Sequence, residues 1–207
     1  VEISLYLLDI LNSPDISTYN LDSLLSHNFL EITHSKDNRL WFFTWYSNNG
    51  GSWYIMDNIV HYRTVNNSPK NYIDLSLEDN PNSFCAISSS FGQIFKLNST
   101  ENRDLYLCLS SSRDCSTCCS EIASVFELTS DSINFNYPAF LEDGINYSSC
   151  FSLDSRCEDI ENFTFSEDNM TISFTYLTDD MTPIQIKDNQ KARRISGILK
   201  WDGIKFN

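Results

Sequence analysis

Apolar and polar residues alternate singly along several stretches of this chain, and that two-residue period restricts its fold more than any other feature. In 132–137, Ile133, Phe135 and Tyr137 alternate with Ser132, Asn134 and Asn136. In 170–177, Met170, Ile172, Phe174 and Tyr176 alternate with Thr171, Ser173 and Thr175. Successive side chains of a strand point to opposite faces, so the pattern predicts strands with one covered and one wet face, as in antiparallel sheets. Residues 194–201 and 204–206 flank Asp202-Gly203, a hairpin signal.

Other segments extend the pattern. Residues 39–56 predict a hairpin through Asn48-Asn49-Gly50-Gly51. Its first strand carries Phe42 and Tyr46 on one face and Trp41, Phe43 and Trp45 on the other, which predicts cover on both sides. Residues 91–97 and 104–110 predict a second hairpin, and 122–128 suits either a strand or a turn of helix. Residues 1–11 predict a strand with Val1, Ile3, Leu5 and Leu7 on one face. Residues 20–29 predict a short helix capped by Asn20. The stretch 64–83, with Pro69 and Pro81, predicts loop and offers the one sub-boundary in an otherwise single unit, 1–207. The expected class is all-β with a minor helix: an antiparallel β-sandwich, Ig-like or jelly-roll-like, stabilised by disulfides. With only 6 glycines, turns that need a left-handed backbone must fall to Asn, Asp and Ser.

Cys85, Cys108, Cys115, Cys118, Cys119, Cys150 and Cys157 all lie in the later part of the chain. Seven is odd, so at least one thiol stays free or joins another chain. Cys150 and Cys157 would close a short loop readily. The C-x-x-C-C run at 115–119 is also half of a zinc site, but no second knuckle or paired histidine accompanies it, so no metal is expected. Oxidised cysteines belong to oxidising compartments, which predicts an extracellular, secreted or cell-surface setting. A chain that opens on Val1 without Met reads as processed or trimmed. Asn66, Asn98, Asn146, Asn162 and Asn169 open N-x-S/T motifs, which permit glycans; about four would arise by chance in so Asn- and Ser-rich a chain.

A net charge of −14 repels phosphate backbones, so nucleic acid is not an expected partner. No apolar stretch reaches the roughly 20 residues of a membrane span. No phosphate-binding glycine loop occurs, and no cofactor is expected. Calcium is the one cation that the acidic pairs Glu78-Asp79, Glu142-Asp143, Glu158-Asp159, Glu167-Asp168 and Asp179-Asp180 would suit. His27, His34 and His61 lack metal spacing, and no G-x-S-x-G elbow accompanies the serines.

These absences point away from an enzyme. Trp41, Trp45, Trp53 and Tyr54 form an aromatic group that suits either a core or an exposed sugar-stacking face. Val1, Ile3, Leu5 and Leu7 would be the inserted row if the first strand added to the sheet of another copy, building a filament. The leading expectation is a non-catalytic extracellular structural or adhesion module with protein partners, copies of itself included. A carbohydrate-binding module is the alternative, and a secreted hydrolase carried by scattered acids and serines is the third.

Overall fold

The computed structural model describes residues 2–13, 16, 30–46, 56–74, 89–113, 117–141, 145–178 and 193–207. One helix opens the described chain, α1 (Glu2–Leu11). Fourteen strands follow among the described residues: β1 (Leu30–His34), β2 (Leu40–Tyr46), β3 (Met56–Arg63), β4 (Pro69–Asp74), β5 (Ser90–Leu97), β6 (Asp104–Arg113), β7 (Cys118–Leu128), β8 (Ile133–Asn134), β9 (Phe140–Leu141), β10 (Tyr147–Ser148), β11 (Cys150–Arg156), β12 (Ile160–Ser166), β13 (Thr171–Thr178) and β14 (Arg193–Lys200). The mostly-β, antiparallel class predicted from alternation is what the chain adopts.

The strands form three main sheets. Sheet I runs β1-β2-β3-β4, sheet II runs β11-β7-β6-β5 with β8 on β7, and sheet III runs β12-β13-β14. A small ladder joins β9 to β10. Leu40, Phe42, Val60 and Tyr62 of sheet I pack against Phe91, Ile94, Tyr106, Cys108 and Phe126 of sheet II. The opposite face of sheet II, with Leu105, Leu107, Leu109, Ala123 and Val125, packs on Ile172, Phe163, Phe165 and Leu199 of sheet III and on Trp201 and Phe206. Trp41, Phe43, Trp45 and Ile59, on the outer face of sheet I, are covered by Leu7 and Leu11 of α1 and by Ile16. The layers therefore run helix, sheet I, sheet II, sheet III. This differs from the two-sheet layout of an Ig-like or jelly-roll sandwich, and sheets I and III are simple meanders. Strand β2 is buried from Leu40 to Trp45, as an aromatic strand apolar on both faces requires.

The N-terminal strand expectation is overturned. Residues 2–11 form a helix in which Leu7 is 4% exposed and Leu5 60%. A run apolar at both odd and even positions satisfies the helical period as well as the strand period, and its four leucines favour helix over the β-branched residues that favour strands. The helix closes with Asn12 N donating to Leu8 O at 2.8 Å and Ser13 N to Ile10 O at 3.1 Å, and Pro14 follows in sequence. The helix expected at 20–29 lies outside the described residues. Part of the stretch read as loop, 64–83, is strand β4: Pro69 heads it opposite Arg63, a position at the start of an edge strand where a missing N–H is tolerated.

Turns follow the glycine shortage. Asn38, Asn67 and Asn102 adopt φ of 55°, 62° and 57°, and Met170 does so at 50°. Gly203 sits at φ 104°, and a Cβ there would lie 2.6 Å from Thr100 Cγ2. Asp202 Oδ1 accepts from the amides of Ile204 and Lys205 at 2.8 Å each, completing the predicted hairpin turn. A register shift between Phe91 and Gln93 lets Phe91 and Ile94, three apart, face the same core. Segment 122–128 resolves as strand β7, and the hairpin of β5 and β6 pairs Leu97 with Leu105 as expected.

The stacked core predicts its own weak point. Phe42 is fully buried, with Phe91 stacked at 3.8 Å and Phe126 tilted at 6.0 Å between ring centroids. Phe42→Ala is expected to cost about 3–5 kcal/mol in urea unfolding, whereas Ile198→Thr, at a largely exposed position, should stay within about 0.5 kcal/mol.

Candidate functional site

Trp41 and Trp45 are core residues, not a ligand platform. Both are buried beneath α1, and Trp41 stacks on His34 at 4.1 Å while its Nε1 donates to Asn38 O at 3.2 Å. Sheet I places them there because residues 41, 43 and 45 share the face that α1 covers. Trp53 and Tyr54 lie outside the described residues. The row Val1, Ile3, Leu5, Leu7 is likewise broken: Leu7 points into the core, Leu5 points out, and a helix has no unpaired edge to add to a sheet. Val1 lies outside the described residues.

The densest group of charged side chains in the described residues bridges sheets I and II. Arg39 Nη1 donates to Asp104 Oδ2 at 2.7 Å, and its Nη2 donates to Thr64 O at 2.9 Å. Lys96 Nζ lies 3.0 Å from Asp104 Oδ1 and 3.3 Å from Asp37 Oδ2. Tyr106 OH donates to Asp37 Oδ2 at 2.8 Å, and Ser35 Oγ to Asp37 Oδ1 at 2.7 Å. Burial pushes both carboxyls up, but hydrogen bonds and cationic neighbours outweigh it. Ser35, Tyr106 and Lys96 hold Asp37 below its ordinary value, and Arg39 and Lys96 hold Asp104 below its own. Burial and the Asp37 carboxylate both raise the Tyr106 phenol. Every charge here has a partner, so the group acts as a clamp between the turn before β2 and the strands β5 and β6. No sequence spacing joins 37, 39, 96 and 104, so the cluster was invisible before the fold.

Further polar groups line the face between sheets I and II. Thr44 Oγ1 donates to Asn58 Oδ1 at 2.6 Å, and Asn58 Nδ2 to Ser89 O at 3.3 Å. The hydroxyls of Ser89, Ser110 and Ser124 are buried without a hydrogen-bond partner among the described residues. Burial alone raises the Glu121 carboxyl on the other side of sheet II. Among the described residues, no three His, Cys, Asp or Glu side chains are placed to hold a metal ion. The acidic pair Glu158-Asp159 sits in the turn that leads from β11 in sheet II to β12 in sheet III, and Glu167-Asp168 in the β12–β13 hairpin turn, with Glu158, Glu167 and Asp168 exposed.

Cys119 and Cys157 form a disulfide, tying the start of β7 to the turn after β11. The local pair Cys150 with Cys157 is therefore not formed; Cys118 and Cys150, at opposite ends of the β7–β11 ladder, are each disulfide-bonded as well. Oxidation at 118 and 119 removes the zinc half-site, since the metal ligand is a thiolate. Among the described residues Cys108 is a free thiol; it is fully buried in the core, and burial pushes its pKa well up. Cys85 and Cys115 lie outside the described residues. Of the sequon asparagines, Asn66, Asn98, Asn146 and Asn169 are exposed, and Asn162 is half-buried with Nδ2 donating to Ser173 O at 3.2 Å. No described helix is long and apolar enough to cross a membrane.

Comparison of the chain with protein-family models, with curated proteins and with solved structures found no match.

Two stability predictions follow from this chemistry. The clamp carboxylates have folded values below their unfolded 3.8, so the stability they give is present above that value and lost as pH falls through the lower folded values. Urea midpoints should therefore drop as pH falls below about 4, and Asp104→Asn should flatten that drop while lowering stability at pH 7, because Arg39 loses its anion. The Cys119–Cys157 bond closes a loop of separation 38. Replacing both cysteines by Ala should cost about 4 kcal/mol by loop-closure entropy, read as a shift in urea midpoint.

Proposed function

We propose that this chain is a non-catalytic, extracellular structural or adhesion module whose surface meets protein partners, copies of itself among them. The observation that carries the reading is a stacked-sheet body pinned by oxidised cysteines, with its charged side chains between the sheets engaged in internal pairing. Disulfides form and persist in oxidising compartments, which supports a secreted or surface setting. Exposed Asn98, Asn146 and Asn169 are then the positions where glycans would sit.

Assembly does not run through an N-terminal strand, because that segment is helical. Strands β4 and β14 each have one described hydrogen-bonded neighbour, which makes their outer edges the better route for strand addition. The carbohydrate-binding alternative loses support with Trp41 and Trp45 in the core.

Native material should yield a Cys119–Cys157 linked peptide in non-reducing mass spectrometry. Light scattering should show mass rising with concentration, or with an added protein partner. Fully reduced thiols in native material, or turnover of a hydrolase substrate abolished by one carboxylate change, would overturn the proposal.

A further inference from the structure

His61 is the least accessible described histidine, 2% exposed, and it sits where the end of α1 meets sheet I. The ladders align a row across four strands: His34 on β1, Trp41 on β2, His61 on β3 and Asn71 on β4. His61 Nδ1 lies 2.7 Å from Asn71 Oδ1, and Asn71 Nδ2 donates to Asn12 Oδ1 at 2.8 Å. Asn12 is the residue whose amide closes the last turn of α1. A continuous chain of hydrogen bonds thus runs from the imidazole to the helix terminus.

Direction matters in this chain. An amide oxygen only accepts, so Nδ1 carries the imidazole proton, and neutral His61 leaves Nε2 without one. The hydrophobic side chains on this face are Trp41, Phe43, Ile59, Leu7 and Leu11, and they offer no anion for a second proton. Among the described residues, the charged or titratable groups that share the face are few. Strand β3 contributes Asp57, four register rows away, and Arg63; β1 contributes His34. Strand β2 presents Trp41, Phe43 and Trp45 there, β4 presents Asn71 and Ile73, and the titratable residues of α1 are Glu2, Tyr6 and Asp9, of which Tyr6 and Asp9 are exposed. Burial lowers the affinity of His61 for a proton, the Asn71 hydrogen bond partly restores it, and the Arg63 charge lowers it further.

We propose that buried His61, linked through Asn71 and Asn12 to the end of α1, is an acid-sensitive latch: a second proton, on Nε2, leaves the Asn71 hydrogen bond in place but puts a charge in a buried site, and that cost releases α1 from sheet I. With α1 away, the imidazole gains solvent and its ordinary affinity for a proton. Docking then weakens by up to tenfold for each pH unit below the undocked value of 6.5, until the docked form also titrates. What is released is the part of the cover over Trp41, Phe43, Trp45 and Ile59 that Leu7 and Leu11 supply.

Amide hydrogen exchange, corrected for intrinsic rate, tests this between pH 7 and pH 5. Protection of residues 2–11 should fall up to tenfold per unit below about 6.5, while β6 and β7 keep theirs. In His61→Gln the fall should vanish, and in His34→Gln it should persist. If His61→Gln loses the docked helix at pH 7, Asn71→Asp decides: a carboxylate against Nδ1 stabilises the imidazolium, so helix protection should no longer decline on acidification. A flat profile in the wild-type chain, an equal fall in His61→Gln or Asn71→Asp, or simultaneous loss of protection in β6 and β7 would overturn the latch.

Discussion

Everything in this molecule depends on β6 and β7 being dry on both faces. Residues 105–110 of β6 and 122–126 of β7 are buried without interruption. Burial on this scale can be met only if two further layers cover sheet II, one on each side. Sheets I and III supply them, and the outward aromatic face of sheet I then needs its own cover, which α1 provides. The helix at the start of the chain is thus a consequence of the central pair two layers away. Each layer leaves a remainder that the next one must hide.

Specific links hold the layers in register, since apolar packing alone does not fix how they slide. The Asp37–Arg39–Lys96–Asp104–Tyr106 cluster locks sheet I to sheet II at one place. Trp201 Nε1 donates to Asn98 O at 2.8 Å and Gly203 O accepts from Thr100 N at 3.1 Å, which fastens the C-terminal hairpin to the loop between β5 and β6. Phe174 lies over Gly197, where a Cβ would come within 2.2 Å of the ring, so the glycine is fixed by sheet III's own packing. These links are directional where hydrophobic burial is not.

Much of this was legible from residue order, and the failures have physical reasons. Alternation at 170–177 and the Asp202-Gly203 turn translated directly into β13 and the C-terminal hairpin. Asn38, Asn67 and Asn102 took the left-handed positions that scarce glycine left open. Residues 2–11 misled because leucine at both parities fits two periods at once. Strands β11 and β12 were missed because Asp, Ser and Glu interrupt their apolar pattern, and β4 because proline at an edge looks like a loop. The charged cluster had no sequence signature: four residues from three separate segments meet only after two sheets have stacked. Trp41 and Trp45 suited either a core or a ligand face by residue type, and α1 lying across them makes them core.

The order of strands has a kinetic meaning. Sheets I and III are meanders, and in sheet II only β11 must return across intervening chain to reach β7. Most pairing is between sequence neighbours, so loop-closure entropy is low for nearly every ladder. Among the ladders between described strands, β11 on β7 closes the longest connection, and the Cys119–Cys157 link sits at its far end. Oxidation at that point ties the two strands covalently at the end farthest from the chain that connects them.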